Sequence, residues 1–385
     1  MIYGKVLGNV KYWLLSSFYF LFSLGIGALQ FLNLFYVDLG LSTAQIGMLF
    51  AVGPFVMIFA QPFWGLLTDY LNAPKVTITI MIICSVLTAL VFPFAFTFEH
   101  LLILNIIYFF FQSSIPAIAD STTLSLLDDR NDFGKIRLWG SLGYAVGVMS
   151  VGTLLDVFGL QLLFILHSSF LALTLLVIIK LPIKKGEKRE FKLQEAVLLL
   201  KNPMFLLFLL FSFLVHLTVH ANNSFYAIYL QNMGATITLI GFSLLLKSIL
   251  EVPFFAMSKK LMTRYSYPVL LTVVAMIYGF RWLVLGSSDN LQVFIWSQVL
   301  LSLSFSIQYF VSVAYVDLIT PVKYRATGQT FFWAVTLGLG GLTGNLLAGW
   351  LLNYTEIPKM YQITAAISLI SVILLWIKPM RSSRN

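Results

Sequence analysis

Cysteine is almost absent from this chain of 385 residues. Cys84 stands alone in an apolar run, so no intrachain disulfide can form, and cysteine usage carries no sign of redox compartment. Charge is scarce too. Charged residues make up only 10% of the chain, against about 25% in a soluble domain, and that deficit excludes an ordinary water-soluble fold. Also missing are a nucleophile elbow, a phosphate-cradling glycine loop and a metal-ligand cluster. His216-x-x-x-His220 has a helical spacing that suits zinc, but no glutamate follows the first histidine and no third ligand is spaced nearby. The expectation is a protein that is not an enzyme, with no catalytic residue, metal or cofactor.

Hydrocarbon fills the space left by charge. Hydrophobic residues make up 59% of the chain and its mean hydropathy is +0.91. Apolar runs long enough to cross a bilayer, ~20 residues each, fall near 12–36, 43–67, 76–96, 101–127, 137–156, 162–181, 203–230, 237–257, 268–286, 291–318, 326–352 and 359–377. The first is too long for a signal peptide and is not followed by a small-residue cleavage site, so it reads as a span. The expected fold class is an all-α membrane protein of twelve transmembrane helices, with both termini on one side.

The net charge of +9 could suggest a nucleic-acid partner, but its distribution argues against one. Of the 24 Lys and Arg, all but Lys247, Arg281 and Lys359 fall at the termini or in the even-numbered loops. By the positive-inside rule the termini are expected to be cytoplasmic, and the basic excess is topological.

The longest charged segment, Lys180–Asn202, divides the chain into residues 1–182, a basic linker at 183–202 and residues 203–385, with six spans on either side. Its second part, Phe191–Lys201, has the pattern of an amphipathic surface helix. The lysine run itself reads as a solvated linker or an anionic-lipid contact. The halves echo each other. Leu39-Gly40 and Ile46-Gly47 open the second span, while Met233-Gly234 and Ile240-Gly241 open the eighth. Pro62 and Pro253 lie near the far ends of those two spans. Spans five and eleven are both glycine-rich, which allows close helix approach. Repeated halves around a midplane site are characteristic of secondary transporters.

Several charges lie where hydrocarbon should exclude them: Lys247 and Glu251 in the eighth span, Arg281 in the ninth and Asp120 in the fourth. Each costs about 2.5–3.5 kcal/mol at a helix centre, and such residues usually mark solute or ion pathways. Lys247 and Glu251 are one turn apart, so the lysine can hold the glutamate ionised. His216, His220 and Asn223 are spaced to share one helix face of the seventh span. A histidine titrates near neutral pH, and His220 with Glu251 could load and release a proton. Span ten carries Gln298, Ser302, Ser304, Gln308, Tyr309, Ser312 and Tyr315. Asn33, Asn105 and Gln112 complete the candidate lining.

Two patches resemble a known family. Gly65-Leu-Leu-Thr-Asp69 followed by Lys75 is similar to the Gly-x-x-x-Asp loop of the major facilitator superfamily, where the loop latches helices on the cytoplasmic face. Pro116-Ala-Ile-Ala-Asp120 and Phe133-Gly-Lys-Ile-Arg137-Leu-Trp-Gly-Ser-Leu-Gly-Tyr144 resemble the lactose permease and phenylpropionate permease branch. Phe225-Tyr226-Ala-Ile-Tyr-Leu, Ile249-Leu-Glu251-Val-Pro-Phe and Phe280-Arg281-Trp resemble the phenylpropionate-permease type, with His220, Glu251 and Arg281 at matching polar positions. The resemblance implies that Arg137 pairs with a carboxylate on helix four and holds solute, with Tyr144 stacking on it. An ungapped match places Ala119 at that carboxylate's position, with Asp120 next to it. Helices one, four, seven and ten of the superfamily line the cavity. Span ten here lacks the histidine and glutamate of lactose permease, carrying Asp317 near its end.

Together these readings give an expectation of a proton-coupled symporter of a small polar organic solute, first a carbohydrate and second an aromatic carboxylate. It would work as a monomer in the cell membrane by alternating access. Glu251, His220 and Asp120 are the candidates for proton coupling. Arg137, Tyr144, Asn223, Tyr226, Lys247, Arg281 and Gln308 are the candidates for solute binding, and Gly65, Asp69 and Lys75 for the gating loop. Asp120 and Arg137 have similar depths and suit either a structural gate tie or a solute handle. Export of a drug or lipid-like solute, and a receptor or scaffold that binds without transport, are the competing readings.

Overall fold

The computed structural model describes residues 2–127, 133–181, 201–321 and 325–377. The linker at 183–202 and its surface helix lie outside the described residues, apart from Lys201 and Asn202. Among the described residues the chain is helical, with no strand, and twelve helices are long and apolar enough to cross a membrane. They are Val10–Asp38, Thr43–Thr68, Pro74–Phe94, Phe98–Leu126, Phe133–Phe158, Leu162–Lys180, Pro203–Asn232, Ile237–Phe255, Tyr267–Leu285, Leu291–Ile319, Gly328–Leu351 and Ile357–Ile377, called spans one to twelve below.

The ends of these helices are set by local chemistry. Pro74, Pro203 and Pro268 sit in the first turn of spans three, seven and nine, where a missing N–H costs nothing. Asn202 accepts from the Met204 amide and Thr97 from the His100 amide, capping spans seven and four. Spans one and seven stop the same way. Gly40 and Gly234 adopt left-handed φ values of 75° and 86°. The residue after each donates five positions back, Leu41 to Tyr36 and Ala235 to Leu230. Only glycine takes this φ without strain, so the sequence echo at these positions is an echo of backbone geometry.

The chain forms two compact units. The first holds residues 1–41, 55–190 and 236–245; the second holds 42–54, 191–235 and 246–385. In the first unit, spans one and five cross at backbone distance. A Cβ on Gly143 would overlap the Phe20 carbonyl, and one on Gly27 would lie 2.9 Å from the Tyr144 carbonyl. In the second unit, spans seven and eleven repeat the arrangement, with Gly344 against the Leu217 carbonyl. Lipid tails are as apolar as leucine, so helix association in a bilayer depends on this kind of close packing. The outward faces are apolar, as at Ile165, Leu173, Leu176 and Ile179 on span six and Ile370, Ile373 and Trp376 on span twelve. The first unit also joins span five to the start of span eight. Asp156 accepts from the amides of Ile237 (2.9 Å) and Thr238 (2.6 Å), capping that helix with a carboxylate.

Several spans are interrupted. Span one has a 3-10 turn at Leu29–Phe31, span four breaks at Ser113 and Ser114, span ten breaks at Ser297, and span eleven contains a π-helical stretch, Ala334–Leu339. Irregular backbone at membrane depth requires internal partners, and these partners lead to the candidate site.

Candidate functional site

In the first unit, Asp120 and Arg137 are linked through a third residue. The Tyr19 hydroxyl donates to Asp120 Oδ1 at 2.6 Å, and the Arg137 guanidinium lies 5.5 Å from the centre of the Tyr19 ring. No direct ion pair forms between the two charges. Tyr19 comes from span one, so the depth matching that brings Asp120 and Arg137 together from sequence misses it. Arg137 is exposed, presenting its donors on an aromatic platform, and Tyr144 is half-buried on the same helix. Asn105 lies deeper, donating at 2.8 Å to the Tyr36 hydroxyl, and Asn33 is buried beside the span-one turn, accepting from the Leu34 amide.

His167 was not among the expected residues, yet it is fully buried and joins three spans. Its Nδ1 is 2.8 Å from the Gly25 carbonyl and its Nε2 2.9 Å from the Tyr108 hydroxyl. A carbonyl can only accept, so Nδ1 carries the hydrogen and Nε2 accepts from the tyrosine in the neutral ring. Of the gating-loop residues, Lys75 donates to the Ile179 and Leu181 carbonyls, closing the C-terminal end of span six. Lys11 does the same for span four at the Leu126 carbonyl, 2.7 Å away. Gly65 has open space where a Cβ would stand, and the Asp69 side chain lies outside the described residues.

In the second unit, Lys247 Nζ and Glu251 Oε1 are 3.7 Å apart, with side chains 22% and 20% exposed. Lys247 also lies over the Phe305 ring, 5.5 Å from its centre. Ser302 and Ser306 of span ten donate to the Lys247 and Glu251 carbonyls, which fixes this stretch of span eight against span ten. His216, His220 and Asn223 do not share one environment. His216 is buried, with Nδ1 2.9 Å from the Ser212 carbonyl and 3.3 Å from the Gln308 amide. His220 is half-buried and Asn223 exposed.

The buried amide of span seven is instead Asn222. Its Oδ1 accepts from Arg281 Nη1 and from the Tyr361 hydroxyl, both at 3.2 Å. Arg281 is completely buried. Its Nε donates to the Ser297 carbonyl at 3.1 Å, and its guanidinium lies 4.6 Å from the Trp282 ring and 5.8 Å from that of Tyr226. The Tyr226 hydroxyl donates to the Phe294 carbonyl at 3.1 Å. Among the described residues no carboxylate pairs with Arg281, so Glu251 and Arg281 do not form one cluster. Neither Asn222 nor the span-ten break has a periodic signature in sequence, because each depends on side chains reaching it from other helices.

Twelve helices long and apolar enough to cross a bilayer, several of them interrupted and carrying charges inside them, fit a membrane transporter. Known proteins show which kind. The model of the MFS_1 like family matches residues 12–363, and the chain belongs to that family. Maltose permease of Geobacillus stearothermophilus is 28% identical over 362 residues, covering 93% of this chain and 92% of that protein. A probable 3-phenylpropionic acid transporter of Escherichia coli (strain K12) is 28% identical over 370 residues, covering 91% and 93%. Among solved structures, the nucleoside transporter NupG matches with a TM-score of 0.87 over 96% of this chain and 98% of its own, a likeness of fold at 18% identity. The chain is a multi-pass cell-membrane transporter of this fold and not an enzyme.

Proposed function

We propose that the protein is a proton-driven carrier that takes a small polar organic solute across the cell membrane by alternating access, with its termini in the cytoplasm. A carbohydrate is the first candidate. It is supported by the maltose permease relative and by Arg137, whose exposed guanidinium stands on the Tyr19 ring beside the Asp120 carboxylate. That combination of fork, carboxylate and aromatic face suits a polyhydroxylated ring.

The observation that carries the proton coupling is the pair of Lys247 and Glu251. The two are partly buried in a spanning helix, at a distance long for an ion pair. With Glu251 ionised the pair is neutral. When Glu251 takes a proton, Lys247 loses its partner and is released to donate to solute. Proton and solute are thereby linked through one residue, and movement of the loaded state returns both to the other side. An aromatic carboxylate is the second candidate, supported by the buried, uncompensated charge of Arg281 and by the phenylpropionic acid transporter relative.

Purified protein in proteoliposomes, screened for counterflow with labelled sugars and aromatic acids, gives the test. Glu251→Gln is expected to keep counterflow and to lose accumulation driven by an imposed proton gradient. Uphill uptake by that variant at the wild-type level removes Glu251 from the mechanism.

A further inference from the structure

Span four breaks near its middle, at Ser113, and span ten six residues from its start, at Ser297; at both breaks, side chains from other spans donate to main-chain carbonyls. In span four, the carbonyl at the break, Ser113, accepts from the Gln61 amide at 3.2 Å. The carbonyl three residues earlier, Phe110, accepts from the Trp64 indole at 2.8 Å. In span ten, the Ser297 carbonyl accepts from Arg281 Nε at 3.1 Å, and the carbonyl three residues earlier, Phe294, accepts from the Tyr226 hydroxyl at 3.1 Å. Three of these four donors are neutral. A glutamine does at Ser113 what an arginine does at Ser297, so the structural task at the break does not require a charge.

The charge is nonetheless present and expensive. Arg281 is 0% exposed. Its acceptors, the Ser297 carbonyl and the Asn222 amide oxygen, are neutral, and its Nη2 has no hydrogen-bond partner. Taking a cation out of water costs several kcal/mol unless an opposite charge or a full set of hydrogen bonds compensates it. Two of its neighbours, Trp282 and Tyr361, stack with ring centres 5.8 Å apart, and Trp282 stacks in turn on Tyr278 at 5.9 Å. The result is a buried cation with one unpaired donor, Nη2, among aromatic rings and tied to span ten at its break.

We propose that Arg281 is the binding site for a small monovalent anion, held by Nη2 with Asn222 and Tyr361 fixing the guanidinium's orientation. The anion is either the carboxylate of the transported solute or an inorganic halide that travels with a neutral one. In both cases the anion neutralises the buried charge, and its arrival is felt at Ser297 through the same guanidinium that holds the break. This rests on the transport reading for its purpose. The site itself can be tested by binding alone.

The test titrates chloride, and separately benzoate, into detergent-purified protein in a HEPES buffer free of halide and carboxylate, following binding by calorimetry and the melting temperature in parallel. A saturable response is expected, at least tenfold weaker in Arg281→Gln, which keeps a neutral donor for Ser297 as Gln61 does for Ser113. Arg281→Lys, which keeps the charge, is expected to retain a response. Saturation by chloride identifies a co-ion, and saturation by benzoate alone identifies the solute's own acid group. No saturable response to either anion in the wild type overturns the proposal, as does an unchanged response in Arg281→Gln. Should Arg281→Gln fail to fold, the wild type and Arg281→Lys decide by the same criterion. Counterflow of a neutral sugar is measured on the same preparations. Absence of counterflow for both this sugar and labelled benzoate, with anion binding intact, counts against the transport reading and leaves the site standing.

Discussion

At the scale of single residues, the first unit turns on Tyr19. Its hydroxyl is 2.6 Å from Asp120 and its ring lies under Arg137, so one side chain serves both charges. A hydrogen bond to a charged group contributes about 1.5–3 kcal/mol. Tyr19→Phe and Asp120→Asn are therefore expected to be non-additive in a double-mutant cycle on melting temperature and solute affinity, with a coupling of about 1 kcal/mol or more. Additive effects within about 0.3 kcal/mol would show that the bond contributes nothing. Asp120 and Arg137 were legible as chemistry because charge inside an apolar run stands out. Tyr19 was not, since an aromatic residue in a spanning helix looks like any other. The same reason hides His167 and Asn222, whose partners are a carbonyl and hydroxyls on helices far away in sequence.

At the scale of elements, the spans follow from the sequence because hydropathy averaged over ~20 residues depends little on tertiary detail. The predicted and observed helices agree to within a few residues at almost every end. The glycines of span five also read correctly as a contact surface. Gly143→Ala is expected to lower the melting temperature, because its Cβ would meet the Phe20 carbonyl, whereas Gly134→Ala, with open space around it, is expected to leave it unchanged. No loss of melting temperature in Gly143→Ala relative to Gly134→Ala would mean that the crossing of spans one and five tolerates the added Cβ. The breaks in spans four and ten were not legible. Ser113 and Ser297 are ordinary helix residues in sequence, and the side chains that donate to carbonyls at the breaks, Gln61, Trp64, Arg281 and Tyr226, come from other spans.

At the scale of the whole molecule, two compact units each hold a charge-bearing centre built differently. The first half surrounds Asp120 with a tyrosine and an arginine. The second holds Glu251 against Lys247 on span eight and, separately, buries Arg281 at the break in span ten. Gly40 and Gly234 share a left-handed backbone at the ends of spans one and seven, while the side chains at the two centres differ. This explains why the architecture could be read from one sequence and the solute could not: the scaffold repeats, whereas specificity depends on a few side chains that do not. The central claim is that solute and proton move together. The most direct measurement is the external pH of a weakly buffered suspension of proteoliposomes when a counterflow-positive solute is added with no imposed gradient. The account predicts alkalinisation in the wild type that is lost in Glu251→Gln, and solute entry without any pH change in the wild type would contradict it.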